Sequence, residues 1–347
     1  MSNILVTGGL GFIGGALISN LLENTQANIF NLDKCGYASN SKRIEQKISM
    51  LNLSKDRYTF IKADLYNKPH IEEIISEINP DCVFHLAAES HVDKSIMSPE
   101  KFIQSNVVGT FNLLESIRNN WLNMSESKKN IFRFLHVSTD EVFGSLGFSG
   151  LFSETSAYSP RSPYSASKAA SDHIVDAYFH TFALPVLVTN CSNNYGPWQY
   201  PEKFIPLIIS KCFESQNIPI YGDGQNIRDW IYVDDHIDAL MLVMSSGKIG
   251  NHYCIGSSEE HTNLEIASVI CNYLDDLVPS RAPHSSLINF VEDRLGHDKR
   301  YAIDSSKIKQ ELGWYPKHSF PSGIKETINW YHSNQHWVNR FADSSLN

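Results

Sequence analysis

The stretch TGGLGFIGG, Thr7 to Gly15, follows an apolar run, Ile4 to Thr7, and opens an amphipathic segment, Phe12 to Glu23. Gly8, Gly11 and Gly14 stand in a GxxGxxG pattern. Between a strand and a helix such glycines permit a tight turn and close approach of a pyrophosphate, which the helix N-terminus meets with N–H donors and a positive dipole. Asp33 ends the second apolar run, about 20 residues on, where a carboxylate binds the adenine ribose hydroxyls. That charge repels a 2′-phosphate, so NAD is expected rather than NADP unless Lys34 compensates. Phe12 and Ile13 sit within the turn, Asp64 and Leu65 follow the third apolar run, and Asp64 is a candidate adenine contact. Leu86, Ala87 and Ala88 end the fourth run, where small residues let a cofactor come close. Ser105 completes this part of the expected NAD set.

Working outward, short apolar runs alternate with longer amphipathic segments, the pattern of βαβ units. Strands are expected at Ile4 to Thr7, Ile29 to Leu32, Tyr58 to Ile61, Cys82 to Leu86, Phe132 to Val137 and Val186 to Asn190, and helices at Phe12 to Glu23, His70 to Ile78, Glu100 to Asn119 and Pro163 to Phe182. Nearly continuous Val, Ile, Leu and Phe suit strands covered on both faces. The fold class is α/β: a Rossmann-like doubly wound parallel sheet with a smaller α/β substrate-binding C-terminal domain. After Asn190 the alternation breaks into turns rich in Gly, Pro and Asn. Residues 1–190 plus about 229–258 are expected to form the NAD-binding domain, and about 191–228 and 259–347 the substrate domain. Ile227 to Val233 and Asn251 to Gly256 are expected to return to the first sheet, and Asp275 to Ser286, with two prolines, to be a loop.

The chain has 347 residues, 42% of them hydrophobic, and a net charge of -9. Nucleic-acid and acidic-membrane binding need clustered Lys and Arg, so this balance argues against both. An anionic ligand must be met by a few placed cations. No apolar run is long enough to cross a bilayer, and the start MSNILVTGG lacks a leader pattern; a cytoplasmic protein is expected. The six cysteines include no CxxC pair, so neither a disulfide framework nor a zinc knuckle is indicated. His332 and His336 have metal-ligand spacing without an acidic third ligand, and no metal is expected. They read as the polar face of a helix end that also carries Trp330 and Trp337.

Tyr164 and Lys168, in SPYSASKAAS, are one helical turn apart and share a face. Beside a Lys cation and oxidised nicotinamide a phenolate is favoured, so Tyr164 can take a hydroxyl proton as hydride leaves the carbon. With 15 tyrosines in the chain, a YxxxK pair is what random spacing yields; its place after the fifth strand gives it meaning. The same strand runs into HVSTDEVFG, His136 to Gly144. Arg228, in IRDW, offers a planar fork of donors suited to a diphosphate.

Taken together, TGGLGFIG, Asp33, LAAESHVDKS, STDEVFG, YSASK, TNCSNNYGP, YPEKFIPL, PIYGDGQNIRDWIYVDDH and GHDKRYAID resemble the extended short-chain dehydrogenase/reductase family, of the NAD-dependent epimerase/dehydratase type. Within it they resemble the dTDP-glucose 4,6-dehydratases, in order from about Ile4 to Trp337. The resemblance implies a hydro-lyase that oxidises C4 of a nucleotide-bound glucose, eliminates water across C5 and C6, and returns hydride to C6. Tyr164 would be the redox base, Lys168 would hold the nicotinamide ribose, and Thr139 would bond the C4 oxygen. Glu141 would take the C5 proton and Asp140 would protonate the leaving C6 hydroxyl. A plain 4-epimerase needs no such acid and base pair, and neighbouring carboxyls in a closed site can hold different protonation states.

Also by resemblance, Ser90, Thr139, Asn193, Lys203, Pro219, Tyr221, Asn263, Asp293 and His297 would contact the sugar nucleotide with Arg228, and Asn194 would contact NAD. A homodimer through the segments Glu100 to Asn119 and Pro163 to Phe182 is implied as well. The sequence departs from the family pattern at Leu295, where a Pro usually lies, at Cys254 for an Asn, at Phe143 for a Tyr, and in a shortened loop after Gly144. Alternatives are a UDP-glucose or other nucleotide-glucose 4,6-dehydratase, a 4-epimerase or decarboxylase of the same fold, and a non-catalytic NAD-binding protein.

Overall fold

A computed structural model describes residues 2–278 and 280–342. Its strands, in chain order, are β1 (Asn3–Thr7), β2 (Asn28–Asp33), β3 (Tyr58–Lys62), β4 (Cys82–His85), β5 (Arg133–Thr139), β6 (Val186–Cys191), β7 (Asn193–Tyr195), β8 (Ile218–Tyr221), β9 (Ile227–Tyr232), β10 (His252–Ile255), β11 (Glu260–Thr262) and β12 (Ile288–Val291). Seven of them form one parallel sheet in the order β10-β6-β5-β4-β1-β2-β3. The order reverses between β1 and β4, which opens a crevice at the strands' C-terminal ends.

Helices cover both faces of that sheet. One face packs Leu17, Ile18 and Leu21 of the Phe12–Asn24 helix with Leu240 and Val243 of the Val233–Ser246 helix. The other packs Leu113, Leu114 and Ile117 with Ile75 and Val175. This double burial is why β5 and β6 carry consecutive apolar residues, Phe134 and Leu135 in one and Val186 to Val188 in the other. A separate core gathers Ile208, Ile209, Ile266, Ile270, Ile324 and Ile328 among the elements after β6. Among the described residues no helix is long and apolar enough to cross a membrane.

Several sequence expectations change. Ile227–Tyr232 does not join the first sheet: β9 pairs with β7 and β11 in a three-stranded sheet. The first sheet's edge beyond β6 is taken by β10, with His252 opposite Val188, whereas β7 leaves that sheet and offers Asn193 to Trp230. The Glu100 to Asn119 segment is helical but not uniformly wound. Pro99–Phe102 passes through a π-helical turn, Ile103–Val108, into Gly109–Leu122. The expected loop at 275–286 is partly structured: the Asn263–Leu277 helix runs into it and a 3-10 turn, His284–Leu287, follows. Asp275 holds that turn by accepting from His284 N at 2.8 Å and pairing with Nδ1 at 2.6 Å. Pro279 lies outside the described residues.

The helix expected to carry both Trp330 and Trp337 is two helices, Phe320–Ser333 and Gln335–Ala342. At the break, the Asn334 side chain donates to the Trp330 carbonyl at 2.8 Å, the competition with backbone bonding that interrupts helices. His332 and His336 therefore sit on different helices. Trp337 turns inward against Trp198, ring centroids 5.5 Å apart. Residues 343–347 of the expected second domain are outside the described residues.

Candidate active site

The crevice is a cleft of about 370 Å³ walled by the first turn, the ends of β2, β4, β5 and β6, and the Pro163–Phe182 helix. Every residue of the expected NAD set lines it: Gly8, Gly11, Phe12, Ile13, Gly14, Asp33, Lys34, Asp64, Leu65, Leu86, Ala87, Ala88, Ser105, Tyr164, Lys168 and Asn194. Gly8 has φ +72°, and a Cβ there would lie 2.7 Å from Ala87 N. The Phe12–Asn24 helix begins at Gly11 with no side-chain cap, so its first turn presents N–H donors and its dipole to the cleft. Asp33 is held in place: Oδ2 accepts from Leu10 N at 3.0 Å, and Oδ1 from Cys35 N at 2.8 Å and Ser39 Oγ at 3.2 Å.

Lys34 does not compensate that charge. It pairs with Glu89 at 2.5 Å and donates to Ser105 Oγ at 3.2 Å. A bare first turn, a fixed carboxylate and backbone in close approach fit a dinucleotide without a 2′-phosphate. Gly14 has no room for a side chain, since a Cβ would stand 2.2 Å from the Gly8 carbonyl oxygen. Gly14→Ala is expected to cost about 1–3 kcal/mol or more by overpacking and to weaken NAD binding; thermal melting and an NAD titration measure the two.

β5 delivers the catalytic candidates. Its last residue, Thr139, caps a 3-10 turn, Asp140–Phe143, by accepting from Glu141 N at 3.3 Å, and donates to Asp140 Oδ1 at 3.3 Å. Asp140 is 1% exposed and its Oδ2 has no partner, whereas Glu141 is half-buried and lines the cleft. Burial, reinforced by the charges of Glu141 and Asp229, pushes the Asp140 carboxyl well above the usual range. Glu141 is also raised by burial, but Arg228 and Lys203 oppose the shift. Asp229, itself buried, is pushed up to about 6, first by burial.

The opposite wall is the Pro163–Phe182 helix. Ser162 caps it in a reciprocal pair with Ser165, each side chain 3.0 Å from the other's backbone N, and Pro163 fills the first position. This fixes the stripe carrying Tyr164 and Lys168. Lys168 Nζ donates to the Val137 carbonyl at 2.9 Å. Among the protein's own groups, burial and then Glu141 and Cys191 push the Tyr164 hydroxyl well up, against a hydrogen bond from Thr139.

On the substrate side, Ser90, Thr139, Asn193 and Lys203 line the cleft with Glu141, and Lys203 Nζ donates to the Ser90 carbonyl at 3.3 Å. The others stand apart from these walls. Arg228 is buried on Tyr301, 4.3 Å from its ring, and its fork is engaged with the carbonyls of Ile227 at 2.8 Å and Asp298 at 2.9 Å, so it is less free than its sequence context suggests. His297 pairs with Asp293 at 2.6 Å and packs against Tyr221. Pro219 lies in β8 opposite Asn289, and Asn263 starts the Asn263–Leu277 helix. Of the departures, Cys254 is fully buried, Phe143 stacks on Phe152 at 5.2 Å, and Leu295 is 80% exposed.

Sequence reasoning missed a group on the outer wall. The Tyr37 hydroxyl donates to Glu202, and Lys94 pairs with Glu202 at 3.1 Å while lying 3.1 Å from the Tyr37 ring centroid. Arg43, in the unassigned Lys42–Met50 helix, and Trp198 and Trp337 also line the cleft. Glu202 adjoins Lys203 in YPEK and was within reach; Arg43 precedes Ile44 and Ile48, whose helical spacing was a usable signal, whereas Tyr37 lies in the irregular stretch before that helix.

Residues 5–327 match the family described as GDP-mannose 4,6 dehydratase. The chain is 50% identical over 345 residues to the dTDP-glucose 4,6-dehydratase of Salmonella typhimurium, covering 97% of this chain and 94% of that protein. Among solved structures it is similar to the dTDP-glucose 4,6-dehydratases of Bacillus anthracis, in complex with NAD (TM-score 0.83, 39% identity, 98% of this chain and 99% of that one), and of Streptomyces venezuelae, also with NAD bound (TM-score 0.86, 38% identity, 96% and 98%). A turn shaped for NAD, an acid pair at the end of β5 and a Tyr and Lys facing it thus meet in a chain alike to these enzymes along nearly all its length, and the protein belongs to the dTDP-glucose 4,6-dehydratase family.

Proposed function

We propose that this protein converts dTDP-glucose to dTDP-4-keto-6-deoxyglucose and water. The observation that carries this reading is the unequal pair at the end of β5: Asp140 buried and held toward its neutral form, Glu141 reaching the cleft under the charges of Arg228 and Lys203. NAD, when bound, supplies the redox chemistry, taking hydride from C4 and giving it back at C6. Tyr164 takes the C4 hydroxyl proton, aided by Thr139, and Lys168 contributes the fixed cation. The C4 ketone makes the C5 proton acidic, and Glu141 removes it. Asp140 gives its proton to the C6 hydroxyl, which leaves as water. Glu141 then returns a proton to C5.

The division of labour assigns NAD to residues 1–190 with about 229–258, supported by the seven-stranded sheet for β1 to β6 and β10 but not for β9, and the sugar nucleotide to about 191–228 and 259–347, supported by the separate core beyond β6. A homodimer is supported by apolar side chains left exposed along the two helical segments, Ile103, Phe111 and Phe182. Sedimentation should then give twice the 39.2 kDa chain mass. A cytoplasmic location is supported by the six unpaired cysteines. The deciding experiment incubates the protein with NAD and either dTDP-glucose or UDP-glucose and reads the 4-keto-6-deoxy product by its alkaline absorbance. Faster turnover of dTDP-glucose is expected; preference for UDP-glucose would reassign the nucleotide, and no turnover of either would overturn the reading.

A further inference from the structure

Behind the redox pair lies a buried polar network that the reaction above does not use. Asp172 follows Lys168 by one turn on the same helix, so Tyr164, Lys168 and Asp172 form one stripe. The Asp172 carboxylate is fully buried and accepts from four donors: His136 Nε2 at 3.0 Å, Ser138 Oγ at 2.7 Å, Tyr158 Oη at 2.9 Å and Asn190 Nδ2 at 3.3 Å. Two of these donors lie on β5 and one on β6. Asn190 also donates to the Thr139 carbonyl at 3.2 Å, so the carboxylate ties the last residues of β5 to the helix that bears Tyr164.

The chemistry of His136 follows from its neighbours. Nε2 lies 3.0 Å from Asp172 Oδ1 and 3.4 Å from Lys168 Nζ. A carboxylate only accepts and an ammonium only donates, so Nε2 cannot serve both. Burial works against the Asp172 charge, but the His136 hydrogen bond, the Lys168 charge and the Ser138 hydrogen bond hold the carboxylate below its ordinary range. It takes the Nε2 proton. Nδ1 is buried without a partner, so a second ring proton there would be unsatisfied, and burial holds the ring down to about 4. His136 is thus a neutral Nε2–H imidazole between an ammonium and a carboxylate.

Lys168 needs that carboxylate. Its ammonium is buried, which pushes it down, and the opposing charges are Asp172 and then Cys191. The groups facing it are Tyr164 and Asp172 on its own helix, His136 and the Val137 carbonyl on β5, His85 on β4 behind the His136 ring, and Cys191 on β6. His85 is driven neutral by burial, and burial pushes the Cys191 thiol up to about 12. Asp172 is therefore the one lasting negative charge among them.

We propose that Asp172 is a positioning residue of the redox centre: through the neutral His136 it supplies the counter-charge that keeps Lys168 an ammonium, and through Ser138 and Asn190 it fixes Thr139 against Tyr164. The proposal rests on the redox role given to Tyr164 and Lys168 above. Asp172 touches neither substrate nor cofactor.

The test is Asp172→Asn in the NAD-loaded enzyme, with Tyr158→Phe as a control that removes a donor and leaves the charge. Asp172→Asn is expected to lower kcat at least about tenfold with KM for dTDP-glucose changed less than about threefold, and to move the alkaline limb of the pH profile to lower pH, because Lys168 loses the charge that holds its proton. Tyr158→Phe should leave that limb in place. A folded Asp172→Asn enzyme with kcat and limb unmoved overturns the proposal, as does a loss confined to thermal stability. Should Asp172→Asn fail to fold, ¹⁵N NMR of histidine-labelled wild-type holoenzyme decides: His136 must be the neutral Nε2–H tautomer across the active pH range, and an Nδ1–H tautomer or an imidazolium overturns it. Lys168→Ala separates the two readings: if it retains full activity, the redox assignment itself fails, whereas an inactive Lys168→Ala beside an unaffected Asp172→Asn defeats this proposal alone.

Discussion

Glu141→Gln is expected to slow formation of the 4-keto-6-deoxy sugar by about 10²–10⁴-fold, the usual contribution of a positioned general base, while NAD binding stays within about threefold of wild type. The first turn and Asp33, which carry the dinucleotide fit, lie on other strands, so the amide should not disturb them. The variant should also stop exchange of the C5 hydrogen with solvent deuterium, because nothing else at the end of β5 faces the cleft with a free carboxylate. Asp140→Asn should differ in kind. Its base is intact, so C5 exchange continues, but water leaves slowly because Asn cannot give up a proton. A double variant with full turnover would remove both carboxyls from the mechanism. Wild-type turnover should fall at high pH both as Asp140 ionises and as Lys168 loses its proton, and Asp140→Asn should keep only the second descent.

The second large effect is expected from Tyr164→Phe, again about 10²–10⁴-fold or more in kcat, with a different signature from either carboxyl variant. Without the phenol no ketone forms at C4, so C5 stays unactivated and its exchange disappears together with product. Burial and the Glu141 charge already push the Tyr164 hydroxyl up, so the protein alone leaves it a weak base and the bound cation matters to its function. NAD affinity should change little, because the first turn and Asp33 carry most of the dinucleotide fit. Unimpaired C5 exchange in Tyr164→Phe would move the redox role to another residue.

Much of this was legible in the sequence because burial on both faces leaves a plain signal. β1, β2, β4, β5 and β6 lie within one or two residues of their expected bounds, and the Pro163–Phe182 helix matches at both ends, where Ser162 and Pro163 set its start. The wall of the cleft was legible for the same reason: glycines, Asp33 and small residues mark where backbone comes close to it. What was hidden depends on partners distant in the chain. β7 and β11 have three residues each, too few to show a period, so the second sheet and the true partners of β9 could not be read. Arg228 looked like a free fork because the carbonyl of Asp298 that it meets lies 70 residues away. Asp172 did carry a signal, its place one turn beyond Lys168, but its four donors become visible only when β5, β6 and the helix are assembled.

The π-helical turn at Ile103–Val108 has a consequence for how the chain can vary in length. Such a turn holds one residue more than regular winding, and each residue advances a helix by about 100°. Asn106, within it, exchanges bonds with the Glu89 backbone at 2.8 and 2.9 Å and donates to Ser167 at 2.9 Å, while Leu113, Leu114 and Ile117 beyond it fill the core. Deleting one residue here would restore a smooth helix and yet rotate one of these two faces away from its partners. Loops accept insertions and deletions; this covered segment has a residue count that its two flanks can satisfy only together.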